Sequence, residues 1–501
     1  MKIFSLDVRQ SLPFILLVFG IFLFECLPFV MYGTSLDGLV YSQLALNMSH
    51  HLGSLWDPFY SSTIWPHFYE HPPLAFYLQS FFFSILGDNV FVDQFYFFTI
   101  IICNLFLFVF FWRQSNPKIK GYFIWIPIFC FLIGPRQVSN LGYLEYMLSV
   151  FTTLASFLIV KALLSGIQQR IYFLLSGVLM VAAFFINGLQ AFFPLIIPLL
   201  YALIFSKPKF LSSVLQTLGL TFWVFSLIIF IFLIYPPAFE NIYHYFQEQL
   251  IESLSGMRQD SGYHSGFFGH LYGLGQLWPL LWTLIVTSLI SLLIYSWQTR
   301  QSFLNIITMI KQDKWVLFFF LMAFSAFLPV LLSARQSPHY FIPALSFFGL
   351  AFAQILTPVY LSWLSLIDIN SQKYKIFLCL VIFTMIGAVI GMIFSFGKIN
   401  YSKNTELKQS IHDALLIAKI VPPNTEIFTD DPAILVDFNH PAMSTNIDNI
   451  AILNRYAHIT IYIGPLSKNY LVQMRSRPSY PLGYELVNLE LQKFSLFKKK
   501  K

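Results

Sequence analysis

The sequence contains few charged residues for its length. Of its 501 residues, 11% are charged and 57% are hydrophobic. This balance excludes an ordinary soluble enzyme, because repeated apolar runs of about 20 residues have the length that a membrane-crossing helix needs. We therefore predict an all-α polytopic membrane protein that carries a small soluble domain.

Cysteine is also scarce. The four cysteines, Cys26, Cys103, Cys130 and Cys379, all lie within apolar runs. Their placement argues against a disulfide framework and against a paired-cysteine metal site. The sequence also lacks an evident internal repeat, which disfavours an inverted-repeat transporter.

The basic residues indicate topology. The net charge is +7, but Lys and Arg are spread over short loops beside apolar runs, where they orient helices and do not form a nucleic-acid surface. Placing these loops in the cytoplasm, together with the N-terminus, predicts about eleven crossings. The predicted crossings are 11–31, 91–112, 121–135, 143–162, 171–187, 189–206, 214–235, 278–297, 315–333, 340–366 and 376–397. The first is interpreted as a retained helix, since it exceeds the apolar core of about 7–15 residues in a signal peptide.

The apolar stretch 72–87 is predicted to lie along the outer interface. It is too short for a hydrocarbon core of about 30 Å. If it crossed, Arg113, Lys118 and Lys120 would move outside and break the charge pattern. The segments 32–89 and 236–276, and residues 335–339, then face the non-cytoplasmic side.

The last hundred residues differ in composition from the rest, which predicts a division into a membrane domain, 1–397, and an outer soluble domain, 398–501. Asn, Asp, Pro and Lys become frequent there, and no apolar run is long enough to cross. Helical spacing covers Glu406–Ile420, and the segments Glu426–Thr429 and His458–Ile463 have the pattern of short strands. We therefore expect a small α/β domain. The basic tail Lys498–Lys501 is interpreted as solvated or as touching anionic head groups.

Acidic residues beside the predicted membrane surface are the main candidates for function. Asp37 follows the first apolar run and begins a predicted amphipathic helix that ends near His50. Glu70 precedes His71 and the stiffening pair Pro72-Pro73, and Glu145 opens an apolar run near the same face. A carboxylate placed there needs a partner, water or a metal. Asp37 also suits a helix N-cap, a role compatible with facing a cavity.

In these motifs the chain resembles the membrane glycosyltransferases of the GT-C superfamily, in the branch of aminoarabinose transferases of lipid A and protein O-mannosyltransferases. That branch has an early acid, a Glu-Lys-Pro-Pro-like element and a second acid at the start of a later helix. Here they match Asp37, Glu70 with its prolines, and Glu145. The likeness covers most of the first 400 residues and extends to Asn187-Gly188, His264–Phe268 and Arg335–Pro343.

The chain departs from the pattern at two positions. His71 stands where many relatives carry Lys, and Glu145 stands where Asp is common. An imidazole with its ordinary pKa of about 6.5 would make phosphate binding at that position depend on pH.

The resemblance implies a sugar donor linked to a polyprenyl phosphate, and it implies roles for named residues. Asp37 is expected to act as general base, with Glu145 as a second catalytic acid. The donor phosphate is expected to contact His71 and the set Arg335, His339 and Tyr340. Glu70 and His264 are expected to hold a divalent metal, Zn, Mn or Mg, with His244 and His270 as rival ligands.

The leading hypothesis is an inverting hexosyl- or pentosyltransferase of a bacterial inner membrane, with its active site in the periplasm. Its partners are the lipid bilayer, the lipid-linked donor and a glycolipid, glycan or protein acceptor. The alternatives are a sugar-lipid transporter or flippase, and a scaffold without activity. A transporter typically carries ionisable groups near the middle of the membrane, whereas the acids here lie at the edge of one face.

Overall fold

We describe the protein from a computed structural model. It describes residues 36–500 apart from 62–64, 90, 118–143, 166–168, 253–271, 332–335, 367, 396–404, 423–424, 429–451, 457–458, 463–468, 476–482 and 488, together with scattered positions between 12 and 23. The predicted spans 11–31 and 121–135 lie largely or wholly outside these residues.

Helices make up most of the described chain. In chain order they are α1 (Leu36–Ser49), α2 (Leu74–Leu86), α3 (Phe91–Ser115), α4 (Leu144–Leu164), α5 (Gln169–Asn187), a 3-10 helix (Gly188–Ile196), α6 (Ile197–Phe205), α7 (Phe210–Ile234), α8 (Pro236–His244), a π-helix (Tyr245–Ile251), α9 (Tyr272–Thr299), α10 (Phe303–Gln312), α11 (Lys314–Leu331), a second 3-10 helix (Pro338–Phe341), α12 (Ile342–Ser365), α13 (Gln372–Ser395) and α14 (Thr405–Ile417).

Long apolar helices confirm a multi-pass membrane protein. Within the described residues, eight helical segments are long and apolar enough to cross a bilayer. Several expose large apolar side chains that water would not favour, for example Phe222 and Leu233 on α7 and Phe383 on α13, each 76% exposed. In a bilayer these side chains contact lipid, while the helix satisfies its own backbone hydrogen bonds. The predicted total of about eleven crossings stays a prediction.

The chain reverses direction at Asn187-Gly188, inside one of these segments. The rings of Phe184 and Phe192 stack with their centroids 5.3 Å apart, although eight residues of straight helix would separate them by about 12 Å. Gly188 has a φ of 71°, a left-handed conformation that glycine adopts without steric cost. Residues 169–205 therefore run out and back, as the two predicted spans 171–187 and 189–206 require.

The chain forms two compact units. The helical unit comprises Met1–Pro28, Phe98–Val138 and Leu144–Phe394, and the mixed unit comprises Phe29–Phe97, Ser139–Tyr143 and Ser395–Lys501. The C-terminal region thus groups with the segment that precedes α3. The C-terminal part of the mixed unit begins at Ser395, close to the predicted boundary between residues 397 and 398. The division into two domains at that boundary stays a prediction.

The C-terminal part of the mixed unit contains a five-stranded sheet in the order β2-β1-β3-β5-β4. Its strands are β1 (Thr425–Phe428), β2 (Ile459–Tyr462), β3 (Tyr470–Met474), β4 (Tyr484–Leu486) and β5 (Phe494–Lys499). β1 pairs in parallel with β2 and β3, while β5 pairs antiparallel with β3 and β4. The predicted helix and the two predicted strands are confirmed as α14, β1 and β2.

One carboxylate fixes α14 to the start of β5. Asp413 is fully buried and accepts hydrogen bonds from the backbone N–H groups of Gln492, Lys493 and Phe494, at 2.8, 2.6 and 2.8 Å. A buried carboxylate needs such donors to offset its lost hydration. The α/β character of this region is therefore supported by a polar contact as well as by its apolar core.

The segment after the tandem prolines forms a short helix. Pro72 and Pro73 are both buried, and α2 begins directly after them with 13 residues. At 1.5 Å per residue, this helix is about 20 Å long, which is short for a membrane core. Its placement at the outer interface stays a prediction that the observed length supports.

We expect Gly188→Ala to lower stability markedly. A methyl group at this position would lie 2.5 Å from Tyr245 Oη, and the positive φ would be strained in any residue with a side chain. The expected loss is about 1–3 kcal/mol, measured as a lower midpoint of thermal unfolding in detergent.

Gly219→Ala is the matched control. Gly219 lies within α7, and a methyl group there would meet no atom within 4 Å, so alanine should leave stability unchanged or raise it. The double variant Gly188→Ala/Tyr245→Phe removes the hydroxyl contact and should recover part of the loss. Equal midpoints for the Gly188 and Gly219 variants would contradict the assigned cause.

Candidate active site

Asp37 is exposed, whereas the residues that follow it in its helix are buried. It lies in the first turn of α1, while residues 38–48 are buried. The expectation of an amphipathic helix was wrong, because neighbouring segments cover every face of α1 beyond its first turn. A carboxylate in a first helical turn interacts favourably with the helix dipole. Asp37 is thus an exposed acid in the first turn of a helix whose following residues are buried, which is a suitable arrangement for a base.

The polar side chains of α1 connect it to the loop that leads to Glu70. Gln43 donates to Asn47 Oδ1 at 2.8 Å. Asn47 in turn donates to the backbone carbonyls of Phe59 and Tyr60, both at 2.8 Å. These bonds satisfy groups that α1 removes from water and fix the middle of the loop at the same time.

His71 contacts the face of α1 that carries Asp37. Its ring meets that of Tyr41 edge-on, with centroids 5.6 Å apart, and Tyr41 stacks on Phe76 of α2 at 5.1 Å. Tyr41 is four residues after Asp37, so the two side chains share one helix face. Within the mixed unit, the structure therefore brings the first acidic motif and the Glu70-His71 element together. Glu70 is itself half-buried.

Glu145 belongs to the helical unit and is 4% exposed. It lies in the first turn of α4 and accepts a hydrogen bond from Asn187 Nδ2 at 3.1 Å. The next residue is anchored as well, since Asn104 Nδ2 donates to the carbonyl of Tyr146 at 3.0 Å. The start of α4 is thus fixed to α3 and to the reversal at Gly188.

Two tyrosines complete the surroundings of Glu145. Burial raises the pKa of Tyr245, and Tyr340 and Glu145 raise it further, so its hydroxyl keeps its proton. Gln190 Nε2 donates to the carbonyl of Tyr340 at 2.9 Å. His339 is half-buried and packs edge-on against Tyr340, with centroids 4.5 Å apart. The helical unit therefore contains a second polar cluster, formed by Glu145, Tyr245, Asn187, His339 and Tyr340.

Two predicted site residues, Arg335 and His264, lie outside the described residues, as does the rival ligand His270. The other rival, His244, pairs with Glu248 at 2.8 Å. Among the residues that the structure describes, no three His, Cys, Asp or Glu side chains are close enough to bind a metal together. Of the predicted metal pair, only Glu70 is described. The metal site stays a prediction, and no chemical step is derived through it.

Sequence reasoning missed Tyr41 and Tyr245. Both could have been singled out by position, since Tyr41 follows Asp37 by one helical turn and Tyr245 lies in a polar segment after two prolines. Their contacts could not be read from the sequence, because His71 and Gly188, which they touch, are distant along the chain.

Two solved structures resemble this chain over nearly its full length. One is ArnT from Cupriavidus metallidurans bound to undecaprenyl phosphate, with a TM-score of 0.59, 11% identity and coverage of 96% of this chain and 97% of that one. The other is the same protein in the apo state, with a TM-score of 0.56, 11% identity and coverage of 98% and 97%. Neither a family model nor a curated protein sequence matches the chain.

At 11% identity the likeness concerns the fold. The match covers 96% of this chain, so it includes both the apolar helices and the C-terminal region. The fold that the resemblance implied is thereby confirmed: the chain has the fold of ArnT.

Proposed function

We propose that this protein is a membrane glycosyltransferase that takes a sugar from a polyprenyl-phosphate-linked donor. The observation that carries the proposal is the likeness to ArnT over the whole chain, in a structure that contains bound undecaprenyl phosphate. The exposed carboxylate of Asp37, at the start of a helix whose residues 38–48 are buried, supplies a base of the kind that such transfer requires.

The proposed step is a single displacement with inversion at the anomeric carbon. An acceptor hydroxyl or amine attacks that carbon, and its proton passes to the carboxylate of Asp37. The bond between the anomeric carbon and the phosphate oxygen breaks, and its electron pair leaves with the polyprenyl phosphate. Because phosphate is a stable leaving group, no acid is needed to protonate it, unlike in glycoside hydrolysis. General base catalysis of this kind contributes about 10² to 10⁴ in rate.

The leaving phosphate gains negative charge, and cations or N–H and O–H donors stabilise it. We assign this role to Arg335, His339, Tyr340 and His71. Arg335 suits it best, because a guanidinium can donate to two phosphate oxygens at once. His71 would contribute most when protonated.

Glu145 is proposed as a second catalytic carboxylate, which orients the reacting groups. Its burial and its hydrogen bond from Asn187 fix its position, which is what an orienting group needs. Tyr245 keeps its proton and therefore acts near Glu145 as a donor. A divalent metal at Glu70 and His264 is kept as a proposal without a role in the step.

The acceptor is proposed to be an envelope lipid or glycan, ahead of protein hydroxyls. Within the described residues, the C-terminal part forms a compact sheet with one helix packed on it, and the sequence carries no recognisable peptide-binding module. The proposed location is a bacterial inner membrane, with the N-terminus in the cytoplasm and Asp37 on the periplasmic side.

The first test compares envelope lipids, glycans and glycoproteins by mass spectrometry in cells lacking this protein, complemented with wild type, Asp37→Asn or Asp57→Asn. Wild type should restore one sugar-sized mass increment, and its carrier identifies the acceptor. Asp37→Asn should insert and fold but fail to restore it, because an amide cannot accept the proton.

Asp57→Asn is the matched control. Asp57 belongs to the same segment, has a side chain that is 45% exposed and pairs with His67 at 2.8 Å, so its replacement should leave the product unchanged. Restoration by Asp37→Asn would remove this residue from the base role. Movement of a sugar-lipid across proteoliposomes without a new glycosidic bond would favour a transporter.

Glu145→Gln should lower transfer by at least about 100-fold with little change in thermal stability. The amide keeps a carbonyl oxygen that can accept from Asn187, so the local packing persists while the charge is lost. Initial rates of transfer in detergent or nanodiscs measure the effect. Glu240→Gln, which changes an exposed acid of the same unit, should retain the wild-type rate; equal rates for both variants would contradict the role of Glu145.

A further inference from the structure

A buried arginine of the C-terminal region connects to the helix that carries Asp37. Arg455 is 1% exposed and lies in a helical turn at residues 452–456. Its Nε donates to Ser42 Oγ on α1 at 2.8 Å. Its two terminal nitrogens donate to Asp88 Oδ1 at 3.0 Å and to Asp93 Oδ2 at 3.2 Å. All four residues belong to the mixed unit.

The carboxylate of Asp93, on α3, also connects α1 and α2. Asp93, in the first turn of α3, also accepts hydrogen bonds from the Ser42 hydroxyl and, at 3.0 Å, from Gln79 Nε2 of α2. The guanidinium carbon lies 4.9 Å from the ring centroid of Phe83, also on α2. Three helices and the C-terminal region therefore meet at one charged pair.

The electrostatics favour a permanent charge on Arg455. Burial lowers the pKa of this guanidinium, but the carboxylates of Asp93 and Asp88 raise it by more. Each of its three donor positions has a defined acceptor, so its orientation is fixed. Apolar side chains of similar volume often provide as much stability as a buried ion pair. What they would not reproduce here is the geometry of the three hydrogen bonds that Arg455 donates.

The position of Ser42 shows that the network defines the rotation of α1 about its own axis. Ser42 is fully buried, whereas Asp37, five residues earlier, is exposed. Five residues of α-helix correspond to a rise of about 7.5 Å and to a rotation of about 140° beyond one full turn. The network therefore contacts α1 on the side away from Asp37. A rotation of α1 about its axis would displace the carboxylate of Asp37.

We infer that Arg455 is a positioning residue, which holds α1 through Ser42 in the rotation that presents Asp37 to the reacting groups. The inference rests on the proposed function. A misplacement of about 1 Å in a catalytic group can cost about 100-fold in rate, so a loosened α1 should lower kcat while donor binding changes little.

The test uses full-length protein in nanodiscs and the variants Arg455→Met and Arg455→Met/Asp93→Asn. The single variant leaves Asp93 buried without its charge partner and should lower both the unfolding midpoint and kcat. The double variant removes that uncompensated charge and should recover most of the midpoint. Its kcat should stay at least about tenfold below wild type, with an unchanged KM for the lipid-linked donor, and amides of α1 should exchange hydrogen faster in both variants.

Asp413→Asn is the matched control, because it weakens a buried carboxylate contact of the same C-terminal region without touching α1. It should lower the midpoint and leave kcat and α1 exchange unchanged. Recovery of kcat together with stability in the double variant would overturn the positioning role, as would an equal loss of kcat in Asp413→Asn.

Failure of the proposed function gives a different result. Wild-type protein would then transfer no sugar from any polyprenyl-phosphate donor supplied. Hydrogen exchange still decides the part played by Arg455: faster exchange of α1 in Arg455→Met supports its hold on the helix, and unchanged exchange overturns it.

Discussion

A polar group that leaves water must find its partner inside the protein, and this constraint governs both polar clusters described above. It places the guanidinium of Arg455 between two carboxylates, and it places Asn187 against Glu145. In an apolar chain such groups are costly, and each satisfied pair fixes the elements that carry it. The positions of α1 and α4 follow from these pairs as much as from apolar packing.

The same constraint operates away from the candidate active site. Gln354 of α12 accepts from Asn116 Nδ2 at 2.6 Å and donates to Asp313 Oδ2 at 2.7 Å. This contact joins the end of α3, the junction of α10 with α11, and α12. Apolar rings fill the space between helices without specifying one register, whereas amide and carboxyl groups accept few arrangements.

The sequence predicted the parts of the fold that depend on local pattern. Apolar run length indicated the membrane helices and turn residues located the reversal at Gly188. Short segments with strand character, bounded by Pro and Gly, located β1 and β2. It also identified Asp37 and Glu145 as acids at helix starts. It did not predict that α1 is buried on all sides beyond its first turn, since the residues that cover it lie elsewhere in the chain. Tyr245 and Arg455 were missed for the same reason: their significance depends on partners that periodicity does not reveal.

The network around Arg455 also sets an order on assembly. Ser42 and Arg455 are 413 residues apart in the sequence, so their hydrogen bond forms only after the C-terminal region has been synthesised. Contacts of such long range form slowly, because a large loop must close before they contribute. The helical unit can form its local helix pairs during synthesis, while α1 reaches its final environment late. A chain that stops before residue 455 would carry Asp37 on a helix that lacks the hydrogen bond between Arg455 and Ser42. The network therefore makes the placement of Asp37 depend on synthesis of the C-terminal region.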